Sequence, residues 1–234
     1  RSEMGYMRAV EKCNGSGDCR KTEITGGLMC PSYMASRDEQ QTTRARANIL
    51  REYLTHSTKK NPFDHEEIYK VLDLCLSCKG CKSECPSNVD MAKLKAEFLQ
   101  HYHDANGIPL RTKLIANINS LNKIGSKLPA LTNFILNKTA LPSLLGFTSE
   151  RKLPLLAKQT FSVWYKKHYP ALVKSAKLKK GKKVYLFNDE FTNHYDVELG
   201  QKAVRLLVAL GYEVLIPEHV ESGRAFISKG LIRK

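Results

Sequence analysis

Cys75-Leu76-Ser77-Cys78-Lys79-Gly80-Cys81-Lys82-Ser83-Glu84-Cys85-Pro86 has the spacing C-x2-C-x2-C-x3-C-P. Three thiols two residues apart can wrap one face of an iron–sulfur cubane. The fourth, held by a rigid Cys-Pro turn, is aimed at a second cluster. Such a run implies a partner half-motif elsewhere in the chain. Cys13-x5-Cys19-x10-Cys30-Pro31 lies upstream and supplies it. Together the seven cysteines read as an iron–sulfur electron-transfer module.

The upstream half is not a full copy. In Cys13-Asn14-Gly15-Ser16-Gly17-Asp18-Cys19 the middle ligand position falls on Ser16. Exchanging the Cys-Pro ligands between motifs assigns Cys30, Cys75, Cys78 and Cys81 to one [4Fe–4S] cluster. The other site receives Cys13, Cys19 and Cys85, one thiolate short, which points to [3Fe–4S]. Ser16 as an oxygen ligand, a labile fourth iron, or no second cluster are the alternatives. Gly15, Gly17 and Gly80 suit loops in which backbone amides approach sulfur. Lys79 and Lys82 lie inside the cysteine loop, where cations would favour a reduced cluster, unless both project into water.

Other uses of cysteine fit less well. Disulfides suit neither the odd count nor C-x2-C groups set among lysines. Structural zinc prefers two separated ligand pairs, whereas these ligands come as a triplet plus a Cys-Pro. A zinc-stabilised interaction module is nonetheless the main alternative class.

At 234 residues the chain can bury a sizeable core, and no apolar run approaches membrane-spanning length. It starts at Arg1 with no leader pattern, and reads as an internal piece of a longer protein. There are 38 basic and 23 acidic residues, a net charge of +15. That field suits an anionic partner: nucleic acid, a membrane face or an acidic protein. Aromatics are few and do not interleave with the basic runs at Lys166-Lys167 and 177–183, which argues against nucleic acid and against an iron–sulfur protein with a DNA-binding surface. The expected location is cytoplasmic, with docking on the inner membrane face or a redox partner left open.

Between the motifs the pattern is helical. Ser36-x-x-Glu39 has the form of a capping box, followed by Ala45, Ile49, Leu50, Tyr53 and Leu54 on one face. Asp64 to Glu67 starts a helix with Ile68, Val71 and Leu72 inward, delivering Cys75. Asp90 caps another helix through about His103, closed by Gly107 and Pro109. Two helices thus fill the 44 residues between Cys30 and Cys75. The expected fold is mainly α: an α-helical ferredoxin-like cluster domain at 1–107, and short helices with a linker at 108–180. In that middle stretch Leu114, Ile115, Ile118 and Leu121 form one apolar face. The apolar run 128–147 reads as packing against the cluster domain more than as a docking surface. From 181 to 234 a strand at Val184-Tyr185-Leu186-Phe187, a helix at 196–210, a strand at 212–216 and a helix within 223–232 make a partial parallel α/β unit.

The order of Cys13 to Arg20, Met29-Cys30-Pro31-Ser32-Tyr33, Thr43-Arg44-Ala45-Arg46-Ala47 and Cys75 to Met91 resembles the iron–sulfur region of large FAD-linked 2-hydroxyacid dehydrogenases. These are enzymes of D-lactate, glycolate and D-2-hydroxyglutarate type. The three-thiolate site is similar to the three-iron centre of succinate dehydrogenase and fumarate reductase iron–sulfur subunits. The resemblance implies an FAD domain upstream that oxidises the hydroxyacid, this chain relaying its electrons without catalysing alone. The tail resembles the first half of a cysteine-rich domain, but Glu221-Ser222-Gly223-Arg224 stands where that family has Cys-Cys-Gly. Asn188-Asp189-Glu190 occupies the region of an earlier cysteine, so this half-domain supplies no ligand.

Overall fold

The computed structural model describes residues 5–138, 140–148, 150, 152–176, 178–179 and 181–234; Lys177 and Lys180 of the basic run at 177–183 lie outside them. The helices before the strands are α1 (Tyr6–Val10), α2 (Pro31–Ser36), α3 (Thr43–His56), α4 (Glu66–Asp73), α5 (Gly80–Glu84), α6 (Met91–Asn106), α7 (Leu110–Ala116), α8 (Ile118–Gly125), α9 (Pro129–Lys138), α10 (Leu141–Leu144) and α11 (Phe161–Ser175). Then come β1 (Lys183–Tyr185), α12 (Glu190–His194), α13 (Val197–Ala209), β2 (Glu213–Leu215) and α14 (Arg224–Ser228). The fold is mainly α. It divides into unit 1, Arg1–Thr112 with Arg224–Lys234, and unit 2, Lys113–Gly223.

Unit 1 is built around the cysteine loops. Val10, Met29, Leu50, Ile68, Leu72, Val89, Met91 and Phe98 are buried in one core that also takes in Cys19, Cys30 and Cys81. The capping box at Ser36 does not form. Pro31 at the first helical position starts α2 early, which puts Ser36 at its end, where left-handed Arg37 stops it. Asp38 then caps a 3-10 turn at Glu39–Gln41. Thr42 starts α3, its Oγ1 accepting the Ala45 N–H at 3.0 Å. Asp90 caps α6 as expected, its Oδ1 accepting the Lys93 N–H at 3.0 Å. The closing segment 224–234 returns to α6. His103 Nε2 meets the Lys229 carbonyl at 3.1 Å, and Arg233 pairs with Asp104 at 2.8 Å. Gly230 (φ +70°) lies so close to α6 that a Cβ there would stand 2.1 Å from that of Leu99.

In unit 2, β1 and β2 are parallel, with Val184 opposite Val214, and α13 is the crossover. Phe161 and Trp164 of α11 pack with Val197, Val204, Val208 and Val214. Leu114, Ile115 and Ile118 are half-buried and Leu121 is exposed. The helix breaks between α7 and α8, and the buried residues are Ala116, Asn119 and Asn122, the last accepting from Tyr195 Oη at 2.7 Å. Leu128, Leu131, Phe134 and Leu144 in the run 128–147 are exposed rather than packed inward. The short helix α12, capped by Asp189, was not anticipated.

His194, at the end of α12, sets a pH dependence. Asn193 Oδ1 accepts from Ser162 N, Ser162 Oγ and Asn188 Nδ2 at 3.0, 2.8 and 3.1 Å, which fixes its amide. Its Nδ2 therefore faces His194 Nε2 at 3.2 Å, so that nitrogen must accept, while Nδ1 meets Ser126 Oγ at 2.8 Å. Burial, with Lys123 nearby, holds His194 below its ordinary value of 6.5. The unfolded chain binds the proton more readily, so this group's contribution is present above pH 6.5 and is lost as pH falls below it. The slope is at most ~1.4 kcal/mol per pH unit. Urea midpoints should fall between about pH 7.5 and 5.5, and His194→Gln should flatten the fall; equal slopes would remove His194 from the account.

Candidate iron–sulfur site

Two loops of unit 1 meet at one small cavity of about 20 Å³, and Cys30, Cys75, Cys78 and Cys81 all line it. They come from the turn before α2, the stretch after α4, and the start of α5. Cys30 and Cys81 are buried, Cys75 is half-buried and Cys78 is exposed. Among the described residues no three His, Cys, Asp or Glu side chains converge to hold a single metal ion. The four cysteines share the wall of that cavity.

The backbone there is strained in a way that serves the ring. Cys30, Ser77 and Lys79, all on the cavity wall, have φ of 55°, 54° and 62°. Left-handed non-glycine residues cost on the order of 1–3 kcal/mol each and persist where surrounding structure enforces them. Part of that enforcement is visible. A Cβ at Gly80 would stand 3.0 Å from the Leu28 carbonyl oxygen, so a larger residue would push the α5 loop off the loop carrying Cys30 by a few tenths of an ångström. Glu84 fastens the same two loops from the other side, accepting the Leu28 and Met29 amides at 2.6 and 3.0 Å.

Two of the thiols are already served by donors. Cys30 Sγ accepts the Thr43 N–H at 3.0 Å and lies 2.9 Å from Thr43 Oγ1; Cys81 Sγ accepts the Met91 N–H at 3.4 Å. Burial pushes the Cys30 thiol up to about 11 despite the Thr43 bonds, and pushes Cys81 up as well. Hydrogen bonds to sulfur are a lever on cluster potential. A ring of four thiols on a cavity, with amides aimed at sulfur, fits a four-thiolate iron–sulfur cluster.

The remaining ligand candidates sit differently. Cys13 and Cys85 are half-buried and Cys19 is buried, all three against the unit 1 core. Ser16 is exposed, its amide donating to Asn14 Oδ1 at 3.1 Å, between left-handed Gly15 and Gly17 (φ 78° and 83°). Lys79 lines the cavity, yet its ammonium pairs with Asp90 at 3.1 Å; Lys82 is exposed.

Two buried cations beside the ring were not anticipated. Arg46 is 2% exposed and lines the cavity. Lys95 is also buried, and its Nζ donates to the Asp73 and Cys75 carbonyls at 3.2 and 2.7 Å. Desolvation lowers the Lys95 pKa. The sequence signal for Arg46 is its place on the inner face of α3, one turn before fully buried Leu50. In unit 2 the positions where the resemblance has cysteines are joined by oxygen chemistry instead: the Ser222 amide donates to Glu190 Oε2 at 3.3 Å.

The four-cysteine cavity lies inside a stretch that is similar to known iron–sulfur domains. Residues 12–90 match the 4Fe-4S dicluster domain. Over 97% of its length the chain is 25% identical to the D-2-hydroxyglutarate dehydrogenases of Pantoea ananatis and Escherichia coli, and over 94% it is 24% identical to that of Pseudomonas putida. The resemblance to D-2-hydroxyglutarate-type dehydrogenases therefore extends well beyond the cysteine motifs. The chain spans 26% of the length of these relatives. No solved structure matches it.

Proposed function

We propose that the chain is the electron relay of a larger FAD-dependent 2-hydroxyacid dehydrogenase. Cys30, Cys75, Cys78 and Cys81 hold a [4Fe–4S] cluster; Cys13, Cys19 and Cys85 hold a [3Fe–4S] cluster, with Ser16 where a fourth thiolate is lacking. An FAD domain of the same protein or complex takes two electrons from the hydroxyacid, and the clusters pass them on singly. The single observation carrying this reading is the convergence of four cysteines from two distant loops on one cavity. The similarity to D-2-hydroxyglutarate dehydrogenases supports the substrate class. The net charge of +15 suits an acceptor at an anionic, inner membrane face, although no helix among the described residues is long and apolar enough to cross a membrane.

The test is absorbance and electron paramagnetic resonance of anaerobically purified protein, before and after dithionite. A brown protein with a three-iron resonance when oxidised and a four-iron resonance when reduced is expected. Ser16→Cys should convert the three-iron resonance to a four-iron one; an unchanged spectrum would sink that ligand assignment. A colourless protein holding stoichiometric zinc overturns the relay reading altogether.

A further inference from the structure

We propose that Arg46 is the internal counter-cation of the four-cysteine ring, raising its reduction potential while clamping the loops that carry Cys30 and Cys75. This rests on the cluster reading above. All three Arg46 hydrogen bonds go to neutral oxygens. Nε donates to the Val71 carbonyl at 3.1 Å, and Nη2 donates to Ser32 Oγ at 3.0 Å and Gln41 Oε1 at 2.7 Å. Val71 is in α4, which delivers Cys75; Ser32 follows Cys30-Pro31. One guanidinium thus ties both loops.

No carboxylate pairs with it among the described residues. The contrast with its neighbour is direct: Arg44 pairs with Glu39, and Arg20 reaches the same carboxylate at 3.2 Å. A buried charge without an opposite charge is costly to keep. Arg46 nonetheless lies 2% exposed on the wall of a cavity ringed by four cysteines. Those cysteines must be thiolates to bind iron, and they are the anions Arg46 otherwise lacks. One-electron reduction adds one further negative charge to the ring, so a fixed cation beside it favours the reduced form.

The readout is the midpoint potential of the four-iron resonance, titrated in wild type, Arg46→Gln and Arg46→Lys. At an effective dielectric of about 20, losing one adjacent unit charge weakens reduction roughly tenfold or more, a shift of about 59 mV or more to the negative for one electron. Arg46→Gln should show that shift, and Arg46→Lys should stay close to wild type. A purely structural role would change iron loading without separating the two variants in potential. Equal potentials in wild type and Arg46→Gln overturn the proposal. If Arg46→Gln takes up no iron, the lysine variant decides: recovered loading upholds the counter-cation, and equal loss overturns it. Wild type that binds no iron overturns the cluster reading itself, a different failure.

Discussion

Cys78→Ser protein, purified without air, is expected to lose its reduced four-iron resonance and gain a second three-iron one, with about one iron fewer bound, while keeping its far-ultraviolet circular dichroism. Cys78 is the informative position because it is the exposed member of the ring. Serine there removes a soft, ionisable sulfur and leaves almost no cavity or unmet polar group behind. The same change at Cys81 would confound two effects, since that side chain is buried and accepts the Met91 amide. Iron content by colorimetry and the resonance spectrum check the result together. Full iron and an unchanged spectrum would remove Cys78 from the ligand set.

Phe98→Ala is expected to cost ~3–5 kcal/mol of unit 1 stability, as large aromatic truncations in cores do. Phe98 is fully buried in α6, stacked on Tyr102 at 5.8 Å and 6.3 Å from the Phe63 ring. Domains hold only about 5–15 kcal/mol in all, so the loss is a large share of the total and should lower the melting temperature by ~10 °C or more. α6 also sends the Met91 amide to Cys81 and the Lys95 ammonium to the Cys75 carbonyl. Loosening its packing should therefore slow cluster uptake as well as lower the melting point. Calorimetry of the iron-free protein, with iron uptake followed separately, tests both. A shift below ~2 °C would mean that the pocket collapses around the missing ring.

The ring was legible because iron–sulfur ligation writes itself into short spacings: Cys75, Cys78 and Cys81 lie within seven residues, and the exchange rule selects Cys30. The Asp90 cap and the strand–helix–strand unit were legible for the same reason, as local patterns. What sequence did not show was set by distant contacts. The place of Arg46 on the inner face of α3 hints at burial, but its partners Val71, Ser32 and Gln41 come from elsewhere in the chain. Ser36 fits a capping box by spacing, yet Cys30-Pro31 had already begun a helix that ends on it. Pro129 and Pro142 stand in the first turns of α9 and α10, where a missing N–H does no harm. The return of 224–234 to α6 joins Gly230 to Leu99, a pairing that no local window contains.

That returning segment has a consequence for how the protein is made. Unit 1 holds all seven cysteines by Cys85, but its last piece follows the whole of unit 2. At ordinary translation speeds a ribosome needs ~5–20 s to make the intervening stretch. Through that interval every cysteine has been made while α6 still lacks its partner. A chain released early at the unit boundary would carry every cysteine on an unfinished body.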